Sequence, residues 1–420
     1  MNDTAKKTVG GIRRYLFTFI KWTFLSIVIG VICGCIGTIF HICVEKATEI
    51  RTDNSWIIFL LPFAGLFIVF LYTKTKQEND KGTNLVIESV RSAEKIPAIM
   101  APLIFIATFL THLFGGSAGR EGAALQIGGS VAATIGRACK MKEDDIRVIT
   151  MCGMSAMFAA LFGTPLTATV FAMEVISVGV IYYTALVPCS FAAVVGTLVS
   201  KKFGITPVAY TIVNYPSINT KTIISVVLLA LLCALVSIVF CITMAYTGKM
   251  YKKYIPNQYL RAAVGGVIVV ILTIMVGTHD YNGAGMNIVE KAINGKAANM
   301  AFIMKIIFTA VTLGAGFRGG EIVPTFFIGA TFGCVVGPLI GLDPGFAAAI
   351  GIVAMFCSVV NCPLASMILG IELFSSSDVV LFAIACAVSY MMSGYYGLYS
   401  SQKIMYSKLA PNFINRNAKH

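Results

Sequence analysis

The chain has 420 residues, of which 57% are hydrophobic and only 12% charged, with a mean hydropathy of +0.83. A soluble domain of this size needs a charged coat that such a composition cannot supply, so a water-soluble fold is excluded. The net charge of +13 comes without a soluble basic face; it signals topology and anionic lipid headgroups, not nucleic acid.

The chain opens with a basic tail, residues 1–14, carrying Lys6, Lys7, Arg13 and Arg14. The apolar run "YLFTFIKWTFLSIVIGVICGCIGTIF" follows at 15–40. It is too long for a signal-peptide core, and no small-residue cleavage site comes after it. Further apolar runs lie at 56–72 and at 223–246, "IISVVLLALLCALVSIVFCITMAY". Two of the three runs exceed the ~20 residues of a spanning helix. The short alternating segments of a β-barrel do not occur. The fold class is therefore an all-α polytopic membrane protein. Basic residues also gather at the other end, at Lys403, Lys408, Arg416 and Lys419. By the positive-inside rule both termini are expected in the cytoplasm of a multi-pass cell-membrane protein.

The first motif is "KGTNLVIES", 81–89, with Thr83 and Asn84 at a predicted helix start. An N-cap accounts for both without any function. Next comes "FGGSAGREGAALQIGG", 114–129, which sets Arg120 and Glu121 side by side between glycines. Unpaired in hydrocarbon, each charge costs roughly a few kcal/mol, and ionisable groups inside a membrane are functional by default. The flanking glycines, Gly122 among them, let backbone amides approach a ligand where a helix begins. A carboxylate there can fill an anion site itself, or protonate and swing away. The plainer alternative is a capping ion pair in a surface loop.

Residues 153–174, "GMSAMFAALFGTPLTATVFAME", and 351–372, "GIVAMFCSVVNCPLASMILGIE", share G-x-x-A-M-F, P-L and a closing glutamate at a constant offset of 198 (351−153, 363−165, 372−174). The glycines of 115–136 recur at 316–337 with an offset of 201. This predicts an internal duplication: a first repeat at 15–205, a linker at 206–221, a second repeat at 222–405 and a C-terminal tail at 406–420. Duplicated halves suggest a transporter with its site at the repeat interface, built from broken helices whose N-termini favour an anion. The matched Glu174 and Glu372 are expected to do structural work, pairing with backbone amides or with the other repeat. Lys305, in "AFIMKIIF", is expected to snorkel.

In the second half "GGEIVP", 319–324, places Glu321 and Ile322 in the same kind of glycine loop, with Pro324 near the helix start. Its plain reading is a partner for the helix dipole. "GLYSSQK", 397–403, supplies Tyr399, whose hydroxyl can donate to an anion but which alone resembles an interfacial belt tyrosine. The sequence ends 21 residues after Tyr399 (420−399), and no large regulatory module is expected beyond it. The twelve cysteines mostly sit singly in apolar runs, and the Cys33–Cys35 pair has no second ligand cluster. Neither metal nor cofactor is expected.

These segments, in this order, resemble the CLC family of chloride channels and proton-coupled anion antiporters, over about 80–405. "GREGA" looks like the family's GREGP, which implies that Glu121 is the gating glutamate. "GEIVP" stands where the family has GxFxP, so Glu321 and Ile322 would offer amides to the anion. "GTNLV" stands at the GSGIP position with Thr83 in place of the coordinating serine, and Tyr399 falls at the central anion-binding tyrosine. The resemblance implies an inverted repeat of tilted and re-entrant helices, and a homodimer with one pathway per subunit. Several departures point in one direction. The family proline, serine and phenylalanine are missing, a glutamate stands at 321, and Val175 occupies the place of an internal proton-transfer glutamate. Together these are similar to the bacterial fluoride/proton antiporter branch. Fluoride is small and strongly hydrated, so polar side chains replace its water better than a close-packed glycine.

The expected function is export of fluoride in exchange for protons, conferring fluoride resistance. Glu121 and Glu321 are the gating and proton-coupling acids. Thr83, Asn84, Arg120, Glu121, Gly122, Glu321, Ile322 and Tyr399 form the anion site. A chloride channel or chloride/proton antiporter of the same fold is the alternative. A membrane-embedded enzyme would need a clustered nucleophile, base or metal set, and the sequence offers no Ser-His, HExxH or paired intramembrane aspartates.

Overall fold

The computed structural model describes residues 3–92, 94–375 and 379–419, with side chains from Gly11 onward. The side chains of Lys6 and Lys7 lie outside the described residues. Among the described residues there are sixteen α-helices, eight in each half and in matching order. The first half holds α1 (Asp3–Asp53), α2 (Leu61–Lys74), α3 (Thr83–Ser92), α4 (Met100–Leu113), α5 (Glu121–Ala138), α6 (Glu143–Phe162), α7 (Pro165–Glu174) and α8 (Leu186–Lys202). The second holds α9 (Thr220–Tyr254), α10 (Gln258–Val276), α11 (Met286–Ile293), α12 (Ala301–Gly314), α13 (Ile322–Val336), α14 (Pro344–Val360), α15 (Pro363–Phe374) and α16 (Val379–Met392). No helix lies between α8 and α9, where the linker was expected.

Helix length sorts these elements. At 51 residues, α1 runs about 75 Å, well past a hydrocarbon core of about 30 Å. Seven helical stretches among the described residues are long and apolar enough to cross a membrane. By contrast α3, α7, α11 and α15 have 8 to 12 residues and reach only about 12–18 Å. None of the four can span the hydrocarbon core alone, and where such a helix starts at depth each first-turn N–H needs a partner.

The sequence provides those partners. Pro165 and Pro363 open α7 and α15, removing one donor from each first turn. The remaining amides are satisfied across the repeats. Glu372 at the end of α15 accepts from the N–H groups of Leu166 and Thr167 in α7, at 2.9 and 2.8 Å. Glu174 at the end of α7 accepts from Leu364 and Ala365 in α15, at 3.2 and 2.9 Å. All three pairs of positions, 174/372, 166/364 and 167/365, are related by the offset of 198, so the two halves exchange the same interaction. This is the structural role expected for Glu174 and Glu372, with the partners now identified.

Small residues set the helix crossings in the same duplicated way. A Cβ on Gly128 of α5 would run into the backbone of Gly153 in α6, and one on Gly329 of α13 into that of Gly351 in α14. Both pairs therefore bring backbones into contact, as small-residue crossings do in membranes.

Two features depart from the reading above. Lys305 does not snorkel. It is fully buried in α12, and its ammonium donates to the carbonyls of Gly283 and Tyr281 at 2.7 and 3.2 Å while sitting 5.0 Å from the Phe327 ring. An aliphatic stem flanked by apolar residues looks the same in sequence whichever way its head turns. The second departure is a small sheet, β1 (Ser177–Val178), β2 (Lys403–Tyr406) and β3 (Phe413–Asn417), in that order. β2 pairs parallel with β1 and antiparallel with β3, tying the C-terminal segment to the turn after α7. Lys408, one of the C-terminal basic residues, turns inward and donates to Asn361 Oδ1, the Tyr390 carbonyl and Ser393 Oγ.

The exchange predicts a ranked effect on stability. Glu174→Leu and Glu372→Leu each strand two helix-start amides, at about 1–3 kcal/mol per buried amide. Glu174 is the more buried of the two, and Leu166, one of the partners of Glu372, is exposed. Thermal melting in detergent should therefore show the larger loss for Glu174→Leu; equal, negligible shifts would remove the exchange from the list of stabilising contacts.

Candidate anion and proton site

The N-termini of α5 and α13 meet where the two glycine loops pair with each other. Gly119 N–H donates to Gly320 O, and Gly320 N–H donates to Gly119 O, both at 2.7 Å, forming an isolated antiparallel bridge. The fit tolerates no side chain. A Cβ on Gly122 would come within 2.8 Å of Gly320 Cα, and one on Gly320 would collide with the Gly122 amide. Two positive helix ends, from opposite repeats, thus converge on one locus.

Glu121 begins α5 at this locus and is 1% exposed. Its Oε2 accepts from the Arg120 amide at 3.0 Å, and its Oε1 lies 3.5 Å from Arg120 Nε. The carboxylate folds back over its own helix start, where amides and guanidinium together stand in for water.

On one side of this loop is a cavity of about 270 Å³ lined by Thr83, Asn84, Gln126, Arg318, Glu321 and Tyr399, among others. Tyr399 is 1% exposed, and its hydroxyl has no hydrogen-bond partner among the described residues. Buried phenols normally find one, so this is a donor positioned for something that is not protein. Glu321 stands at the N-cap position of α13 without a side-chain cap bond, and it forms no ion pair among the described residues. Ile322 follows it, buried, with its amide in the unsatisfied first turn of α13.

Thr83 and Asn84 divide the labour. The Thr83 hydroxyl accepts from Gln126 Nε2 at 3.1 Å and reaches the Gly122 carbonyl at 3.4 Å. Asn84 Oδ1 accepts from the Ser401 amide at 2.9 Å and its hydroxyl at 2.8 Å, fixing the turn that carries Tyr399. Arg91 adds a bond to the Ser401 carbonyl, and the Leu398 amide donates to Val359 O at 2.9 Å. The N-cap alternative for this motif is not what the bonds display: both side chains make tertiary contacts, Asn84 through its Oδ1.

The structure brings Thr83, Asn84, Glu321 and Tyr399 to one cavity, with Gly122 and Ile322 at its helix starts. Glu121 stands behind Gly122, and Arg120 faces the opposite way, into a second cavity of about 570 Å³. Several residues of the first cavity went unremarked in the sequence, among them Gln126, Arg318 and Lys252. Gln126 was visible as the one amide in the apolar start of α5. Arg318 makes an ion pair with Asp80 at 3.1 Å and stacks 4.4 Å over Tyr72, clamping the loop before α3. Lys252, from the end of α9, also lines it; nothing local in "GKMYKKY" separates it from its neighbours.

Comparison with known proteins identifies the family and the fold. The voltage gated chloride channel family matches residues 64–394. A chloride/fluoride channel protein of Pseudomonas syringae pv. tomato is 35% identical over 395 residues, covering 92% of this chain and 87% of its own. An H(+)/Cl(-) exchange transporter, ClcA, of Vibrio cholerae is 24% identical over 393 residues, covering 85% and 83%. Among solved structures, a CLC-type fluoride/proton antiporter superposes with a TM-score of 0.88 at 31% identity, covering 91% of this chain and 98% of that one. A slow cyanobacterial Cl-/H+ antiporter gives 0.78 at 18% identity, covering 89% and 94%, a likeness of fold.

The bridge predicts an intolerance to one methyl group. Gly320→Ala should push the two loops apart at an overpacking cost of about 1–3 kcal/mol and abolish anion transport. A variant that transports at the wild-type rate would mean that the loops separate without loss, and that their contact does not define the site.

Proposed function

The chain belongs to the CLC family of voltage gated chloride channels and antiporters, and within it we propose that this protein exports fluoride in exchange for protons. The observation that carries the reading is Glu321, a second carboxylate that forms no ion pair among the described residues, lining the same cavity as Tyr399, whose hydroxyl has no hydrogen-bond partner among them. A permanently charged Glu321 would repel any anion entering there. A neutral Glu321 donates a hydrogen bond, and together with the Tyr399 hydroxyl it replaces water around a small, strongly hydrated anion. The chemistry then follows from proton balance. A proton taken up by Glu121 cancels its attraction to the Arg120 amide and guanidinium, freeing the α5 helix start for the anion. A proton held by Glu321 travels opposite to the fluoride it has helped to desolvate. Val175, where an acid would serve an internal proton route, is buried, and its carbonyl accepts from Gln402.

The same reading puts both termini in the cytoplasm, so that the cavity of Thr83, Glu321 and Tyr399 opens inward and that of Arg120 outward. It takes the working unit to be a homodimer in the lipid bilayer with a pathway in each subunit, and assigns anion contact to Thr83, Asn84, Arg120, Glu121, Gly122, Glu321, Ile322 and Tyr399. The likeness to the fluoride/proton antiporter supports fluoride over the chloride alternative.

Two measurements test this. In proteoliposomes with fluoride and chloride electrodes read in parallel, initial fluoride efflux should exceed chloride efflux many-fold; equal fluxes would favour the chloride reading. Glu321→Gln keeps shape and polarity but cannot titrate. It should retain the fold and lose most coupled transport, with fluoride release and proton uptake recorded in one sample. Exchange at the wild-type ratio and rate would make Glu321 a helix-start residue only.

A further inference from the structure

The second cavity, on the Arg120 side of the glycine loop, has a cationic closed end. Arg51, from the last turn of α1, is 7% exposed. Its Nη1 donates to the His112 carbonyl at 3.0 Å, and this is its one hydrogen bond among the described residues, with no carboxylate in an ion pair. Its guanidinium packs against Gly283, where a Cβ would overlap it. Lys305 donates to the carbonyl of that same Gly283. Two buried cations therefore converge on one backbone turn while Arg120 lines the same cavity. Two acids also line this cavity, Glu45 and Asp280, and neither forms an ion pair with Arg51 or Arg120 among the described residues. Glu45 is exposed and faces His41 at 3.5 Å, and half-buried Asp280 forms no ion pair among the described residues.

His112 gives the cavity its chemical character. It is fully buried and lines the cavity. Its Nδ1 lies 2.9 Å from the Thr108 carbonyl, which only accepts, so the proton sits on Nδ1. Nε2 is then a bare acceptor, and it has no partner among the described residues. Such an atom beside cations calls for a ligand that brings negative charge to the guanidinium groups and an O–H to the imidazole. An anion alone provides only the first. An anion that keeps one water provides both, the water donating one hydrogen to the anion and the other to Nε2.

We propose that this cavity is an outer fluoride site, holding the anion on Arg51 and Arg120 with a retained water bridging to His112 Nε2. Resting on the export reading above, the site receives fluoride once it has passed Glu121 and restores part of its hydration before release. Retaining a water also separates it from the inner cavity, where protein donors must replace water.

Sodium fluoride titrated calorimetrically into the detergent-solubilised full chain reads this site without needing transport. Two classes of fluoride binding are expected in the wild type. Arg51→Gln should weaken one of them about tenfold, the worth of a lost charge-assisted contact, and leave the other unchanged. Arg51→Lys should keep most of it. His112→Phe, which leaves Arg51 and its carbonyl partner in place, should weaken the same class several-fold and serves if Arg51→Gln fails to fold. Folded variants that both titrate like the wild type overturn the proposal, as does a wild type with a single class of site. Failure of wild-type liposomes to exchange fluoride for protons would refute the export reading alone, since the calorimetry decides the outer site either way.

Discussion

The structure depends on one contact, the paired backbone bridge between Gly119 and Gly320. Everything assigned to anion handling lies within a turn or two of it or is fastened to a residue that does. A peptide group is the only chemical group small enough to pass between these loops, and it comes with a donor and an acceptor that pair internally. The bridge therefore joins the repeats at membrane depth without leaving a polar group exposed to lipid, and it aims two helix dipoles at one place. Glu121 and Glu321, which follow the bridging glycines by two positions and by one, are brought together by the paired loops and not by sequence proximity.

Beyond the bridge, the fold answers a single difficulty in two ways. Broken helices offer free amides where an anion is wanted and incur the same free amides where none is. At α5 and α13 the amides face the glycine-lined locus. At α7 and α15 a proline removes one and the partner repeat's glutamate accepts two more. On the proposed reading, a carboxylate at a helix start is a permanent plug in one pair and a movable occupant in the other. What separates them is the neighbour: Glu121 contacts Arg120 and its own helix start, whereas Glu174 is locked to the opposite repeat.

Much of this was legible in the chain. The constant offset of 198 exposed the duplication, and glycine loops beside lone acids marked Glu121 and Glu321 without any structure. Thr83, Asn84 and Tyr399 were identifiable through family resemblance, because by themselves an N-cap or a belt tyrosine has the same spelling. Other features left no trace. The direction in which Lys305 turns depends on carbonyls some twenty residues away. The clustering of Arg51, His112 and Arg120 requires α1, α4 and the α5 loop to converge, and residue patterns report periodicity within an element, not encounters between elements. The C-terminal strands were missed for a related reason: β1 has two residues, too few for an alternation to register.

The reciprocal glutamates have a consequence for how the molecule comes into being. Glu174 precedes its partners by 190 and 191 residues in the chain, so during synthesis the first half is complete in sequence well before its carboxylate has anything to hold. That half nevertheless contains both members of the exchange, an acid at the end of α7 and bare amides at its start. Two copies of it, related by a two-fold axis, would meet each other's needs by the geometry that now relates the repeats. The chain thus carries a self-complementary surface within itself, and having both halves on one chain turns what would be an encounter between molecules into a delay along one.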